Sequence, residues 1–379
     1  MAGIYIHIPF CKQACHYCDF HFSTSLKKKG ELLNALVKEL QLRSVEFLGQ
    51  TVETIYFGGG TPSLLTIAEL RFLIEAIYKN YTISPNPEIT LEANPDDLVH
   101  HKIIDLHRSP VNRLSIGIQS FFDEHLKSMN RAHNANEARA CLKEATFYFD
   151  NITVDLIYGI PDMSIEVWDR NLDIVLDFGI NHVSAYALTV EPKTALDNFI
   201  RTGNYPPIND EVAFRHFQQL MERTQKAGFV QYEISNFGRP NYFSKHNTSY
   251  WQGKPYLGIG PSAHSFNGTN RSWNVANNIT YIKSLEKNLL PLTIETLSKE
   301  DRFNEWVMIG LRTIWGVSLV QIQQTFGETF ANHLKHSAEK YIKEGFLYLE
   351  EDAKSINLKT TWKGKFLVDG LASDLFMVN

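Results

Sequence analysis

Residues 4–20 read IYIHIPFCKQACHYCDF and place Cys11, Cys15 and Cys18 within eight positions. The chain has 379 residues and four cysteines, so this one segment holds three of the four. The apolar run before the cluster is typical of a strand, and no charged start followed by a long apolar segment marks it as a signal peptide. We therefore expect a cytoplasmic protein. In a reducing compartment, clustered cysteines more often bind metal or carry out redox chemistry than form disulfides.

The composition is that of an ordinary globular protein, with 44% hydrophobic and 21% charged residues. The 37 basic and 42 acidic side chains give a net charge of −5, which favours neither nucleic acid nor anionic lipid as a partner. No apolar stretch reaches the roughly 18 residues that indicate a transmembrane segment, whereas peripheral membrane contact and the oligomeric state stay open. The fourth cysteine, Cys141, lies in a segment with helical spacing, where we expect a buried structural thiol.

Segments with the character of strands alternate regularly with segments of helical periodicity. The first helical segment, 31–48, places Leu32, Leu36 and Leu40 on one face. Strands are predicted at 4–8, 54–57, 89–92, 113–118, 153–158 and 182–187, and further helices at 66–80, 97–108, 135–148 and 164–178. Six strands separated by helices predict an α/β fold with a parallel sheet, either open and doubly wound or a partial barrel.

Polar or glycine-rich motifs stand where each predicted strand ends. Parallel α/β folds build their sites at the carboxyl ends of the strands. Any one of these residues alone has an ordinary structural explanation, but six in the same relative place favour a common site. In chain order they are the cysteine cluster, the GGGTP loop at 58–62, Glu92, Gln119, Asp155 and Tyr186.

The cysteine spacing C-x3-C-x2-C narrows the chemistry. Structural zinc sites are usually closed by four ligands on paired C-x2-C arms, and a second pair is missing here, although histidines could complete a zinc site. Three thiolates on a 4Fe-4S cluster would instead leave one iron without a protein ligand. That open position is useful when a small molecule occupies it.

The cysteine motif directly follows YIHIPF, Tyr17 stands just before Cys18, and the GGGTP loop follows the second strand. In these three features the sequence resembles the radical S-adenosylmethionine (SAM) superfamily. Within it, the chain is similar to the oxygen-independent coproporphyrinogen III oxidase family, with its HemN and HemW branches. The resemblance covers nearly the whole chain. It implies a partial (β/α)6 barrel in which SAM chelates the open iron of a 4Fe-4S cluster and is cleaved reductively to a radical.

The resemblance also implies a role for individual residues. Cys11, Cys15 and Cys18 would ligate the cluster, and Tyr5 would lie close to the cluster and SAM. The residues that match SAM-contacting positions are Gly59, Gly60, Thr61, Glu92, Gln119, Arg131, Asp155 and Ala187, with the neighbourhood of His264 as a weaker match. Glycine permits close backbone approach, arginine suits a carboxylate, and carboxylates or an amide suit ribose hydroxyls. Arg131 could alternatively form a surface ion pair.

Two departures from the oxidase pattern indicate the HemW branch, whose members are heme chaperones that deliver heme to acceptor proteins. The decarboxylating oxidases carry a further cysteine two residues after the third, whereas here Asp19 and Phe20 follow Cys18. They also carry an N-terminal extension before the motif. The resemblance therefore implies a heme chaperone and puts the oxidative decarboxylation of coproporphyrinogen III, a step of porphyrin biosynthesis, in second place. Whether the chain is an enzyme stays open.

Residues 245–251, KHNTSYW, resemble the HN-x-x-YW motif that the family uses for heme. The resemblance makes His246 the expected iron ligand, while Tyr250 and Trp251 offer apolar faces to a porphyrin. Without the family context, a histidine beside asparagine in a loop is more often solvated or hydrogen bonded. The heme ligand is therefore an expectation that rests on the resemblance.

The pattern of helix-like and strand-like segments changes near residue 290. We expect a radical SAM core with its family-specific extension at 1–290 and a small C-terminal domain at 291–379, winged-helix-like in layout, as in the HemN C-terminal domain. Winged helices often bind nucleic acid, but this segment carries no stripe of basic residues. Contact with the barrel or with a heme-accepting protein is the expected use.

Overall fold

The structure, a computed structural model, describes residues 2–351 and 355–378. Its centre is a row of six parallel strands that pair with one another in chain order. They are β1 Ala2–Ile8, β2 Thr51–Gly59, β3 Thr82–Ala93, β4 Arg113–Gln119, β5 Ile152–Tyr158 and β6 His182–Ala187. All six predicted strands are confirmed, and all but the last extend beyond their sequence signal.

Helices connect these strands in β/α units. They are α1 Lys29–Leu42, α2 Ile67–Asn80, α3 His100–His107, α4 Asp123–Ser128, α5 Ala135–Tyr148 and α6 Ile165–Asp177, with 3₁₀ turns at Ser44–Phe47, Pro62–Leu64 and Pro95–Asp97. The apolar face of α1 is buried in one hydrophobic core with Ile4 and Ile6 of β1. The helix predicted at 31–48 is shorter than expected, because its last turn is a 3₁₀ turn. Cys141 on α5 is buried, as predicted.

The chain after β6 extends the sheet at both edges. Its elements are α7 Ala195–Arg201, α8 Asp210–Lys226, β7 Val230–Glu233, β8 Asn236–Gly238, α9 Lys245–Trp251, β9 Tyr256–Ile259, β10 His264–Phe266, β11 Asn270–Asn274, α10 Asn278–Glu286 and β12 Leu292–Thr296. The strand order is β12-β11-β10-β9-β1-β2-β3-β4-β5-β6-β8-β7. Strand β9 runs parallel to β1 and pairs Tyr256 with Gly3, so Tyr256 lies at the amino end of β1.

The C-terminal segment builds a second hydrophobic core. It consists of α11 Lys299–Leu311, β13 Val317–Ser318, α12 Leu319–Phe326, α13 Glu328–Lys343, β14 Leu347–Glu351, β15 Ile356–Thr360, the 3₁₀ turn Lys365–Leu367 and α14 Val368–Ser373. The three strands form an antiparallel sheet in the order β13-β15-β14. Phe303, Leu334 and Leu358 are buried together in this core. Helices followed by a small antiparallel sheet give the winged-helix-like layout that the sequence predicts.

The parallel arrangement brings the carboxyl ends of six strands to one edge of the sheet. The loops that follow these ends carry the candidate site residues. Among the helices of the described residues, none is long and apolar enough to cross a bilayer.

Candidate functional site

The cysteine loop leaves the carboxyl end of β1 and is closed at its base by backbone hydrogen bonds. Ser23 N–H donates to the carbonyl of Pro9 at 2.9 Å, and Cys11 N–H donates to the carbonyl of Ser23 at 3.1 Å. The three thiols of the loop are free and partly exposed. Among the described residues, no three His, Cys, Asp or Glu side chains lie close enough together to hold one metal ion. The thiols line a wider cavity instead.

The GGGTP loop follows β2 and lies against the start of the cysteine loop. Gly59 has φ +105°, a left-handed conformation that favours glycine. At Gly60 a Cβ atom would lie 2.6 Å from the carbonyl oxygen of Phe10 and 2.7 Å from that of Ile8. Gly60 N–H donates to that same Ile8 carbonyl at 3.0 Å. The close packing of two backbones explains why this loop requires glycine.

Glu92, on β3, has both carboxylate oxygens engaged. Tyr56 OH donates to Oε1 at 2.7 Å and Gly59 N–H donates to Oε2 at 3.1 Å. Burial raises the pKa of this carboxyl above its usual value. The two hydrogen bonds fix the carboxylate at the carboxyl edge of the sheet, next to the glycine loop.

Asp155, on β5, is the second acidic group of the site. Ser115 Oγ donates to it at 3.3 Å. Burial, and then the nearby Glu92, raise the pKa of Asp155 to about 7. Two carboxyl groups thus face the same space from β3 and β5, and neither has a cationic side chain as a direct hydrogen-bond partner among the described residues.

Arg131 follows α4 and reaches back across the strand ends. Its Nη2 donates to Asn94 Oδ1 at 2.6 Å and to the carbonyl of Gly117 at 2.9 Å, and its Nη1 donates to Cys15 Sγ at 3.3 Å. Its Nε is buried and has no hydrogen-bond partner among the described residues. Within that part of the chain Arg131 forms no surface ion pair and instead joins β3, β4 and the cysteine loop.

Gln119 ends β4 in a left-handed conformation with φ 60°. The ladder between β4 and β5 is irregular at this point, between Gly117 and Gln119. The side-chain Oε1 of Gln119 is buried and has no hydrogen-bond partner in the part of the chain that the structure describes. Buried polar atoms without partners are rare in proteins and suggest a missing ligand or water.

One cavity of about 450 Å³ gathers these groups at the carboxyl edge. Of the residues predicted from the sequence, it is lined by Cys11, Cys15, Cys18, Gly59, Gly60, Thr61, Glu92, Gln119, Arg131, Asp155 and Ala187. Three thiols, a glycine cradle, two carboxyls and the unpartnered atoms of Gln119 and Arg131 fit a cluster with a polar small-molecule ligand. Burial raises the pKa of the Cys18 thiol to about 11 and also raises that of the Cys11 thiol.

Two predicted residues lie away from this cavity. Tyr5 packs on Tyr56 with ring centroids 6.1 Å apart, and its hydroxyl is hydrogen bonded to His7 Nδ1 at 3.1 Å. It is connected with the site through Tyr56, which donates to Glu92. His264, on β10, stacks near Trp273 at 5.9 Å and is also outside the cavity lining.

His246 lies on the helix α9 and not in a loop. The ring is 1% exposed. Its Nδ1 is hydrogen bonded to Thr54 Oγ1 at 2.7 Å and its Nε2 to Tyr250 OH at 2.6 Å, and Tyr56 stacks on it at 4.9 Å. Burial lowers the pKa of His246 to about 3, so the imidazole is neutral. A heme iron could reach Nε2 only after Tyr250 had moved.

Two supporting residues were not singled out from the sequence. Asn94 lines the cavity and accepts from Arg131, and Ser115 lines it and donates to Asp155. Asn94 comes directly after the third strand, so its position at a strand end was a usable signal. Ser115 lies inside β4, where the sequence offers no comparable signal.

The chain matches two family models. Residues 5–175 match the radical SAM superfamily, and residues 297–367 match the HemN C-terminal domain. The first match therefore contains the cysteine loop, the GGGTP loop, Glu92, Gln119 and Asp155.

The chain is similar over nearly its whole length to curated relatives. It is 34% identical to the heme chaperone HemW of Mycobacterium tuberculosis, over 98% of this chain and 94% of that protein. It is also 34% identical to the heme chaperone HemW of Bacillus subtilis, over 93% and 96%. The mitochondrial radical S-adenosyl methionine domain-containing protein 1 of Mus musculus is 33% identical, over 98% and 86%.

Among solved structures, coproporphyrinogen III oxidase (HemN) from Escherichia coli, a radical SAM enzyme, superposes with a TM-score of 0.84. The alignment covers 99% of this chain and 90% of that one at 23% sequence identity. At this identity the likeness establishes the fold, a radical SAM partial barrel with a C-terminal domain, and leaves the activity to other observations.

Proposed function

The chain belongs to the HemW family of the radical SAM superfamily, and we propose that it is a heme chaperone that binds heme and delivers it to acceptor proteins. The observation that carries this proposal is the full-length similarity to heme chaperones at 34% identity. The cysteine motif supports it, because Cys18 is followed by Asp19 and Phe20 rather than by the further cysteine of the oxidases.

A 4Fe-4S cluster and SAM are the cofactors that we propose for the cavity at the carboxyl edge. Cys11, Cys15 and Cys18 would hold the cluster, and when bound it supplies a reducing electron at an iron that is open to SAM. The three thiols line the cavity together with the glycine loop. Their placement supports the ligand assignment, since three cysteines leave one iron for a small molecule.

The polar groups around the thiols suit the parts of SAM. We assign the backbone at Gly59, Gly60 and Thr61 to the methionyl amino group, because the two glycines permit close approach of a ligand to the backbone. The guanidinium of Arg131 suits the carboxylate. Glu92, Gln119 and Asp155 suit the ribose and its neighbours, and Ala187 suits the adenosine. Tyr5 would act through Tyr56, which holds Glu92 in place.

His246 remains the candidate heme ligand. Its neutral imidazole is the form that binds iron, and Tyr250, its hydrogen-bond partner, belongs to the same motif. The buried position of the ring requires that Tyr250 moves before Nε2 meets a heme iron. Asn247 and Tyr250 would tune the ligand rather than supply the bond.

We also propose a cellular location and partners for the protein. We place it in the cytoplasm, since free clustered thiols persist in reducing compartments. Heme and heme-accepting proteins are its proposed partners, and nucleic acid is not among them. We place the domain boundary at 290/291, between α10 and β12. Strand β12 still pairs with β11 in the large sheet, and the second hydrophobic core begins in α11.

Coproporphyrinogen III oxidase is the second candidate, favoured by the fold of HemN. One anaerobic assay distinguishes the two functions. Reconstituted protein given coproporphyrinogen III, SAM and dithionite is expected to form no protoporphyrinogen. Turnover would favour the oxidase and overturn the chaperone.

Hemin binding by the same preparation tests the ligand. His246→Ala should change the Soret band, whereas the exposed His100→Ala, on α3, serves as a matched control and should leave it unchanged. Identical spectra for the wild type and His246→Ala would remove His246 as the iron ligand.

A further inference from the structure

A second cavity, of about 590 Å³, lies between α9, the β9–β11 edge and the C-terminal helices α11 and α12. It is larger than the cavity at the cysteine loop, which measures about 450 Å³. Cavities of this size commonly hold small-molecule or cofactor ligands.

The walls of this interdomain cavity are dominated by aromatic rings. Trp251 and Tyr256 line it from the barrel side, and Trp306, Trp315 and Phe326 line it from the C-terminal side. Trp306 and Phe326 meet edge to face with centroids 5.5 Å apart. Aromatic faces on both sides suit a flat, largely apolar ring system, because such rings stack without needing hydrogen bonds.

Four charged side chains line the cavity: Arg271, Arg302, Lys254 and Glu305. Arg271 pairs with Glu305 at 2.8 Å, and both line the cavity. Arg302 also lines it, and among the described residues no carboxylate lies within ion-pair distance of its guanidinium; its Nε donates to the carbonyl of Ser298 at 3.4 Å. The guanidinium of Arg302 therefore complements a ligand that carries carboxylates.

The cavity also meets the KHNTSYW helix. Tyr250 and Trp251 line it, and the hydroxyl of Tyr250 is hydrogen bonded to His246 Nε2 at 2.6 Å. Tyr250 therefore contacts both the candidate iron ligand and the cavity.

We propose that this interdomain cavity is the docking site for a tetrapyrrole dicarboxylate, with its ring between the aromatic walls and its propionates at Arg302 and Arg271. The proposal rests on the proposed heme function and assigns heme binding to this cavity. The chemistry that selects the ligand is the combination of flat apolar walls with two guanidinium groups, which bind carboxylates through their forked donors.

The two cavities open at opposite ends of the parallel strands. Tyr256 pairs with Gly3 at the amino end of β1, whereas the cysteine loop begins after Ile8 at its carboxyl end. A strand of seven residues separates these ends, which is about 20 Å at roughly 3.3 Å per residue. A tetrapyrrole in the interdomain cavity is therefore stored away from SAM, as a cargo would be, rather than presented to it as a substrate.

Metal-free protoporphyrin IX and its dimethyl ester test the site without any iron ligand. Binding to the full-length reconstituted protein can be followed by porphyrin fluorescence. Arg302→Gln should weaken binding of the diacid about tenfold, the loss of one charge-assisted contact, and should leave binding of the diester unchanged. Arg215→Gln, at an exposed arginine of α8 paired with Glu211, is the matched control and should change neither.

SAM affinity, measured on each variant, reports whether the fold and the first cavity are intact. Equal diacid binding by the wild type and Arg302→Gln, or equal loss of diacid and diester, would overturn the docking site. Hemin binding that persists unchanged in Arg302→Gln and Arg271→Gln would refute the site and leave the proposed function standing. A wild-type protein that binds neither porphyrin nor hemin would overturn both.

Discussion

Individual side chains at the strand ends determine how the first cavity meets its ligand. Asp155 is held by Ser115 with a pKa raised to about 7, and it has no cation as a direct partner among the described residues. Ligand hydroxyls would supply the missing donors. Asp155→Ala should therefore weaken SAM binding by about 1.5–3 kcal/mol while the cluster stays intact. Isothermal titration measures this, with the exposed Asp177→Ala on α6 as the control. Unchanged affinity in Asp155→Ala would remove this residue from the site.

His216, on α8, makes stability depend on pH. Gly159 N–H donates to its Nδ1 at 3.1 Å, and burial lowers the pKa of the ring to about 4. Because the folded pKa lies below the unfolded value near 6.5, this contribution is complete above about pH 6.5 and is lost as the pH falls toward 4. Between pH 7.5 and pH 5.5 we expect the loss of about 1 kcal/mol of unfolding free energy from this group.

His216→Asn removes the titration and keeps an acceptor for Gly159. Denaturant unfolding at the two pH values should therefore show a smaller acid loss in His216→Asn than in the wild type. An equal loss in both proteins would show that His216 does not carry this part of the pH dependence.

At the scale of elements, the glycine loop after β2 positions the cysteine loop. A Cβ at Gly60 would press on the carbonyls of Ile8 and Phe10. Gly60→Ala should cost about 1–3 kcal/mol of stability, as overpacking does, and should lower the iron content after reconstitution. Gly30→Ala, in α1, is the matched control, because a Cβ there meets nothing within 4 Å. Full iron loading of Gly60→Ala would contradict the role of this loop.

The strands could be predicted from the sequence because their buried, β-branched runs are local signals. The glycine triplet and the cysteine spacing are local too, so most of the first cavity was predictable once the strand ends were aligned. Helix α9 could not be predicted, because its seven residues are too few to show a helical periodicity. Nor could the contacts of His246, because Thr54 lies 192 residues away in the chain.

For the molecule as a whole, a buried ion pair between Glu233 and Arg312 helps to join the barrel to the C-terminal domain. Glu233, 1% exposed, accepts from Arg312 Nη2 at 2.9 Å, and the guanidinium also lies 5.2 Å from the ring of Trp251. Arg312→Gln would leave a buried carboxylate without its cation. We expect a loss of about 2–3 kcal/mol, reduced from the full buried-pair value because Arg312 is partly exposed.

Denaturant unfolding monitored by tryptophan fluorescence measures this loss, and Arg215→Gln is again the control. A stability equal to that of the wild type would show that the ion pair does not hold the two parts together.

Heme binding is the central claim, and a Soret-monitored hemin titration of the anaerobically reconstituted protein tests it most directly. Gel filtration before the spectrum removes loosely associated hemin. We predict a saturable Soret band at about one heme per chain that survives gel filtration, as expected of a defined pocket with an axial ligand. Absorbance that rises without saturation, or heme that separates from the protein on the column, would contradict the assignment of this chain as a heme chaperone.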